Sequence, residues 1–222
     1  MKWKAVIFDR DGTLFDSLAV ILRSFNYGIE PFTDRRPSDS EWFAAFGPAE
    51  PEVMGRFIPA EKKEAAFDRF YCYYQEHIGE IALFEGVSEL LFRLKEGGMK
   101  LGLFTGGGRT STRFCLEKRG VLSLFDVLIT GDDVALPKPH PEGIHKAVDF
   151  LNVKPEQTVV VGDSGADIQA GGKAGTTTVM ARWSEVPLAF DFSSQPDYIF
   201  YRVSELDQFL TNGSTLRKES RS

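Results

Sequence analysis

Apolar residues along the chain follow two different patterns. Residues 5–8 form an uninterrupted apolar run, Ala-Val-Ile-Phe, which is typical of a buried strand. Between residues 17 and 83 apolar positions instead recur every three or four residues, as on one face of a helix. Helices are predicted over residues 18–29, 40–46, 50–57 and 60–78. No strand pattern interrupts them, so we expect this stretch to be all-helical.

From residue 84 onward, short apolar runs alternate with helical patterns. Helices are predicted over residues 85–96, 110–118, 143–151, 166–174 and 203–210. Strands are predicted over residues 100–104, 125–130, 158–161, 176–181 and 198–200. Such alternation indicates an α/β fold, a mostly parallel sheet with helices on both faces. The first strand must join this sheet because alone it has no partner.

These patterns divide the chain into two parts. A Rossmann-like core is predicted for residues 1–16 and 84–211, with an inserted helical cap at residues 17–83. We expect the cap to cover the carboxyl ends of the strands, with the functional site between cap and core. The polar stretch 212–222 is predicted to be a disordered tail.

Composition excludes several classes of protein. The 222 residues carry a net charge of −6 without a basic stripe, which argues against a nucleic-acid partner. No apolar run reaches the ~18 residues that a membrane span needs. Cys72 and Cys115 lack Cys-x-x-Cys spacing, and three unclustered histidines make a zinc site improbable. We therefore expect a cytoplasmic monomer or homodimer.

Polar side chains follow the predicted strands at the points where those strands end. They are Asp9 and Asp11, then Thr105, then Lys138 in a later loop, and finally Asp163 and Asp167. The carboxyl ends of parallel strands share one edge of a sheet, where open α/β folds bind ligands. Each stretch alone is a weak signal, since Asp-Gly turns, glycine loops and surface lysines are common. Their coincidence in order, at successive strand ends, is difficult to obtain by chance.

Charge indicates what this edge would bind. Asp9, Asp11, Asp163 and Asp167 cannot all ionise close together without a cation. Carboxylates without histidine or cysteine suit Mg²⁺. The Thr105 hydroxyl and the N–H groups of the glycines after it suit phosphate oxygens, and Lys138 adds a positive charge. The sequence therefore predicts a metal-binding pole beside a phosphate-binding pole.

The chain resembles the haloacid dehalogenase-like (HAD) hydrolase superfamily, through its motifs and over nearly its whole length. The motifs are Asp9-Arg10-Asp11-Gly12-Thr13, Thr105-Gly106, Lys138-Pro139 and Gly162-Asp163-Ser164-Gly165-Ala166-Asp167. The helical insertion and the stretch Phe84-Glu85-Gly86-Val87 look like the phosphoglycolate phosphatase and β-phosphoglucomutase branch.

The resemblance implies a role for each motif residue. Asp9 would be the nucleophile that forms an aspartyl-phosphate, and Asp11 would act as acid and then as base. Mg²⁺ would be bound by the Asp9 carboxylate, the Asp11 main-chain carbonyl and Asp163, with support from Asp167. Thr105, Gly106 and Lys138 would hold the phosphoryl oxygens.

The second acid of the first motif, Asp11, favours phosphoryl transfer, because dehalogenases of the superfamily lack it. The expected function is a Mg²⁺-dependent phosphomonoester phosphatase acting on a small phosphorylated metabolite. A phosphomutase and a non-catalytic phospholigand-binding protein are the alternatives.

Two further expectations concern single residues. Arg10 occupies a position that is usually apolar in this branch, and strand alternation predicts that its side chain points away from the carboxylates. Substrate selection is predicted to reside in the cap. The candidates are Arg35, Arg36, Trp42, Phe43 and Gly47.

Overall fold

The structure, a computed structural model, describes residues 2–184 and 195–212. The strands are β1 (Ala5–Phe8), β2 (Phe15–Asp16), β3 (Ala82–Leu83), β4 (Lys100–Phe104), β5 (Val127–Ile129), β6 (Thr158–Gly162), β7 (Thr177–Ala181) and β8 (Tyr198–Phe200). The helices are α1 (Leu18–Ile29), α2 (Asp39–Ala45), α3 (Glu50–Met54), α4 (Lys63–Glu76), α5 (Val87–Glu96), α6 (Arg109–Lys118), α7 (Glu142–Leu151), α8 (Gly165–Lys173) and α9 (Val203–Asn212).

Six strands form one parallel sheet in the order β5-β4-β1-β6-β7-β8. β1 lies at the centre, with Phe8 in register with Leu103 of β4 and Val161 of β6. All four residues of β1 are buried, because helices cover both faces of the sheet. This explains the uninterrupted apolar run and confirms the predicted α/β fold.

Two hydrophobic clusters lie on opposite faces of the sheet. On one face, Ile7 and Val160 pack with Ile144 of α7 and Ala170 of α8. On the other face, β1 packs with α5, α6 and α9, and this cluster continues into the helices α1 to α4. The core and the helical part therefore share one continuous apolar interior.

The helical stretch contains one feature that the periodicity did not predict. β2 pairs with β3 in an antiparallel ribbon, with Phe15 opposite Leu83, at the entry to and exit from the helices. The expectation of an all-helical stretch over 17–83 is therefore wrong at its end. Strands of two residues are too short to show alternation, so no sequence pattern could have revealed them. The division of the chain at these residues remains a prediction.

Helix boundaries differ from the predicted ones by a few residues. The predicted helix over 60–78 consists of α4 flanked by single 3₁₀ turns at Ala60–Lys62 and Ile78–Glu80. Of the predicted tail, residues 213–222 lie outside the described residues, and Asn212 ends α9. None of the described helices is long and apolar enough to cross a membrane.

Candidate active site

The polar residues predicted from the strand ends line one cavity between the sheet edge and the helical cap. Asp9 follows β1, and its N–H donates to the Val161 carbonyl at 2.9 Å. Thr105 follows β4 in the same way, with its N–H 3.0 Å from the Ile129 carbonyl. The cavity has a volume of about 570 Å³ and is lined by Asp9, Asp11, Thr105, Gly106, Lys138, Asp163 and Asp167 among others. The topology therefore brings together all seven predicted site residues.

Three of the acids form a tight group. Carboxylate oxygens of Asp9, Asp163 and Asp167 lie within 4.8 Å of one another. The Lys138 ammonium lies 2.5 Å from an oxygen of Asp9 and 2.5 Å from an oxygen of Asp167. The loop after β5 thus delivers the one ammonium group that touches these acids among the described residues.

This proximity shifts the pKa values of the group. Burial, together with the charge of Asp167, raises the pKa of Asp9 to about 7, although Lys138 opposes the shift. Burial and the neighbouring charge of Asp9 raise the pKa of Asp163 well above its usual range. Burial alone would lower the pKa of Lys138, but the charges of Asp167 and Asp9 outweigh it and raise that pKa. One ammonium is therefore too little charge to keep three buried carboxylates ionised.

The residues fit a hard divalent cation. One Asp163 oxygen, Oδ2, is buried without a hydrogen-bond partner among the described residues, and the other accepts from the Thr13 hydroxyl at 3.3 Å. A buried carboxylate oxygen without a partner carries a large desolvation cost unless a cation neutralises it. An oxygen-only donor set next to that oxygen suits Mg²⁺. The carboxylate of Asp11 is not part of this group; the prediction for Asp11 concerned its main-chain carbonyl.

Local structure holds each of these acids in place. Gly12 has φ of +78°, and a Cβ there would overlap the Asp163 carboxylate, so glycine lets the two chain segments approach. Ser164 caps α8: its hydroxyl accepts the Asp167 N–H, and its own N–H donates to the Asp167 carboxylate. The Ser164 hydroxyl also donates to Asp167 Oδ2 at 2.5 Å. That bond leaves the other Asp167 oxygen facing Lys138.

The phosphate-binding candidates lie where β4 leads into α6. Thr105 is buried, and its hydroxyl oxygen accepts the Gly107 N–H at 3.1 Å. That bond uses a lone pair of the hydroxyl oxygen and not its proton, so the hydroxyl can still donate to a ligand in the cavity. Gly106 lies against the cap, since a Cβ there would be 2.6 Å from the Gly47 carbonyl oxygen. The cap is thus seated on the core in this structure.

Arg10 does not point away from the carboxylates, so that prediction is wrong. Its side chain is 2 % exposed, and its guanidinium lies 2.7 Å from Asp11 Oδ2. It also donates to the Thr112 hydroxyl at 2.7 Å, while Ser17 donates to the other Asp11 oxygen at 2.6 Å. β1 ends at Phe8, and strand alternation no longer governs a side chain beyond that end. The Arg10 guanidinium therefore contacts Asp11 and forms no hydrogen bond or ion pair with Asp9.

Sequence reasoning missed Glu50 of α3, which joins the cap to the core. Its buried carboxylate accepts the Gly108 N–H at 2.7 Å and the Ser111 hydroxyl. Ser111 also lies 3.5 Å from the Arg10 guanidinium. An acidic residue at the start of a helix is ordinary, so only the tertiary fold reveals this contact.

The cap candidates divide into two sets. Phe43 and Gly47 line the cavity, as predicted for residues that face a substrate. Trp42 does not; it is fully buried within the cap, stacked on Phe25 with ring centroids 4.9 Å apart. Arg35 and Arg36 line a separate surface depression, where Arg35 pairs with Glu41. The arginine pair is therefore not at the site.

A family model described as haloacid dehalogenase-like hydrolase matches residues 6–181, so the chain belongs to this family. A relative from Bacillus mycoides (strain KBAB4), named pyrophosphatase PpaX, is 33 % identical over 207 residues, which cover 93 % of this chain and 96 % of that protein. The predicted family and enzyme class, a HAD-type phosphatase, are confirmed.

Solved structures agree with the fold. A predicted phosphoglycolate phosphatase from Haemophilus somnus 129pt superimposes with a TM-score of 0.81 at 24 % identity, covering 95 % of this chain and 99 % of that chain. A mutant of CbbY from Rhodobacter sphaeroides, in complex with xylulose-(1,5)bisphosphate, gives a TM-score of 0.73 at 25 % identity, covering 89 % of this chain and 93 % of that chain.

Proposed function

We propose that the protein is a Mg²⁺-dependent phosphatase that hydrolyses a phosphomonoester of a small metabolite through an aspartyl-phosphate on Asp9. One observation carries the proposal. The acids after β1 and β6 lie within 4.8 Å of each other, and the Lys138 ammonium lies 2.5 Å from Asp9. The proposed nucleophile, cation ligands and phosphate-binding lysine thus lie at the floor of one cavity.

Asp9, Asp163 and the Asp11 main chain would hold the cation, with Asp167 in support. When bound, Mg²⁺ would neutralise the carboxylates and polarise a phosphoryl oxygen. Side chains of the protein would perform the other steps, which are phosphoryl binding, nucleophilic attack and proton transfer. The Thr105 hydroxyl and the Lys138 ammonium would hold the other phosphoryl oxygens as negative charge shifts during transfer.

Reaction would begin when an Asp9 oxygen attacks phosphorus and the bond from phosphorus to the leaving oxygen breaks. Asp11 would give a proton to that oxygen, releasing the alcohol. As a carboxylate it would then take a proton from a water that attacks phosphorus, and the bond from phosphorus to the Asp9 oxygen would break. Inorganic phosphate leaves, and both acids return to their initial states.

The phosphomutase alternative would need the cap to hold a second phosphoryl group. Among the described residues, no lysine or arginine of the cap lines the cavity, whereas Glu50 does. A bisphosphate would therefore face a wall without a positive charge. This absence favours hydrolysis over phosphoryl exchange.

The proposal includes the cellular compartment in which the protein acts. Cys72 and Cys115 are free thiols, Cys72 exposed and Cys115 buried. This usage suits a reducing, cytoplasmic compartment.

The test is hydrolysis of p-nitrophenyl phosphate with and without Mg²⁺ by the wild-type enzyme and by Asp9→Asn. We expect Mg²⁺-dependent release of nitrophenol from the wild type and none above background from Asp9→Asn. Asp149→Asn, on the exposed face of α7, is the matched control and should retain full activity. Wild-type activity in Asp9→Asn would refute the proposal.

A further inference from the structure

The cavity above the acids has an apolar upper wall. Its cap side is formed by Leu18, Ile21, Phe25, Phe43, Ala44, Phe46, Val53 and Phe70 together with the main chain around Gly47. Apart from Phe46, which follows α2, these side chains come from α1, α2, α3 and α4, so each of these four helices contributes. At about 570 Å³, the space is within the range of sites for small organic ligands, ~300–1,000 Å³. A phosphoryl group at Asp9 and Lys138 fills only its floor.

The positive charges at this cavity are already engaged by acids of the core. Lys138 contacts Asp9 and Asp167, and Arg10 contacts Asp11. The two other ionisable side chains in the lining, Asp163 and Glu50, are acidic. A carboxylate or second phosphate on the substrate would thus find no further cation among the described residues that line the cavity.

Of the seven basic residues between positions 17 and 83, four are held by partners that lie outside the cavity. Arg23 pairs with Glu80, Arg35 with Glu41, and Lys63 with Glu52. Arg69 donates to the Tyr27 carbonyl at 3.1 Å. None of these groups lines the cavity. Reaching it would require each to leave its partner and cross the packed cap.

The apolar wall is backed by rigid packing. Phe25 lies at the centre of the cap, with ring centroids 4.9 Å from Trp42, 4.9 Å from Phe70 and 5.8 Å from Phe46. Phe43 meets Phe46 edge to face at 5.5 Å. Such a cluster resists rearrangement because interiors are close-packed. The wall therefore presents a preformed apolar surface.

We propose that the substrate is a phosphomonoester whose leaving alcohol is uncharged and largely apolar, and that Leu18, Ile21, Phe25, Phe43 and Phe46 bind that alcohol. The inference rests on the proposed phosphatase function and specifies its substrate class. It differs from pyrophosphate, which the name of the Bacillus relative denotes, and from phosphoglycolate, both of which carry an anionic leaving group. An apolar pocket discriminates roughly 10- to 200-fold for each methylene it buries.

The test compares kcat/KM with Mg²⁺ for n-hexyl phosphate, 2-phosphoglycolate and pyrophosphate, with p-nitrophenyl phosphate as a general indicator of activity. Hexyl and glycolyl phosphates are both primary alkyl esters, so the comparison isolates the pocket. We expect n-hexyl phosphate to exceed 2-phosphoglycolate and pyrophosphate by at least about tenfold. If kcat/KM for 2-phosphoglycolate or for pyrophosphate equalled or exceeded that for n-hexyl phosphate, the inference would be overturned while the phosphatase function would stand. No turnover of any of the four compounds would overturn both.

A charge placed in the wall provides a second test. Phe43→Lys should shift the ratio of kcat/KM toward 2-phosphoglycolate by about tenfold or more, because it supplies the missing cation. Phe92→Lys, at a surface position 49 % exposed on α5, is the matched control and should leave the ratio unchanged. Thermal unfolding of each variant establishes that it is folded. An unchanged ratio in folded Phe43→Lys would contradict the assignment of this wall to the leaving group.

Discussion

Arg10 and Asp11 are neighbours in sequence and form a buried ion pair at the site, with the guanidinium 2.7 Å from Asp11 Oδ2. Arg10 is itself held by the Thr112 hydroxyl. Asp11 would have to place one oxygen near the leaving group and later near water. Arg10 therefore acts in this account as a positioning residue for Asp11.

Replacing Arg10 by leucine should lower kcat about 10- to 100-fold with little change in KM, since hydrogen bonds to charged groups are worth roughly 1.5–3 kcal/mol. Arg10→Lys keeps the charge but loses the forked contact, and should fall between the leucine variant and the wild type. Steady-state kinetics measures both values. A rise in KM with unchanged kcat would argue against positioning of Asp11.

Glu50 should stabilise the docked cap. Its buried carboxylate accepts the Gly108 N–H at the start of α6, so Glu50→Gln removes charge-assisted bonds. We expect a loss of about 1–3 kcal/mol in the free energy of unfolding, measured by urea denaturation. Glu52→Gln on the same helix is the control, because Glu52 is 62 % exposed in its pair with Lys63. Its loss should stay below about 0.5 kcal/mol, and a loss as large as that of Glu50→Gln would contradict a special role for Glu50.

Gly12 should be required for the position of Asp163. Gly12→Ala adds a Cβ that overlaps the Asp163 carboxylate, and it also incurs backbone strain at φ of +78°. Gly98→Ala is a closely matched control, because Gly98 has the same φ of +78° and open space around it. Strain alone costs about 1–2 kcal/mol. We expect only Gly12→Ala to raise the Mg²⁺ concentration for half-maximal activity; the same rise in Gly98→Ala would point to strain as the cause.

Stability without metal should depend on pH through the buried acids. The pKa of Asp9 rises from 3.8 to about 7 on folding, so the folded state binds more protons than the unfolded state in this interval. The free energy of unfolding should then decrease as pH rises from about 4 to 7, by up to ~1.4 kcal/mol per pH unit for each proton. Glu41 and Glu142 act in the opposite sense, but their pKa values are lowered from 4.5 to about 2, so their effect is complete by about pH 5.

The measurement is the melting temperature of EDTA-treated protein from pH 5 to pH 8. Mg²⁺ should raise it more at pH 8 than at pH 5, since binding requires ionised carboxylates. In Asp9→Asn the pH slope should be shallower. A melting temperature that rises with pH across this range without metal would contradict the account.

Much of the site could be predicted from the sequence, because the order and ends of the parallel strands are enough to place these residues at one edge of the sheet. Asp9 and Asp163 each follow a continuous apolar run, and parallel strands bring such ends to one edge. Lys138 lies 129 residues from Asp9 in sequence, yet its motif placed it at the same edge. The combination of ordered motifs carried this information.

The other features of the site depend on side-chain directions and on contacts between distant residues, and no sequence pattern indicates these. Arg10 lies beyond the end of β1, so alternation misassigned its side chain. Glu50 meets Gly108 across 58 residues, and nothing in either stretch indicates the other. Arg35 and Arg36 carry the positive charge that a phosphorylated substrate would attract. They lie instead at a separate surface depression, where Arg35 pairs with Glu41.

In the proposed reaction, Asp9 accepts the phosphoryl group. The most direct test of this step is acid quenching of the enzyme during turnover of p-nitrophenyl phosphate with Mg²⁺, followed by mass spectrometry of the peptide that contains residues 5–15. The account predicts a peptide heavier by one phosphoryl group, with the modification on Asp9 and absent from Asp9→Asn. Turnover with an unmodified Asp9 peptide, or with the phosphoryl group on another residue, would contradict it.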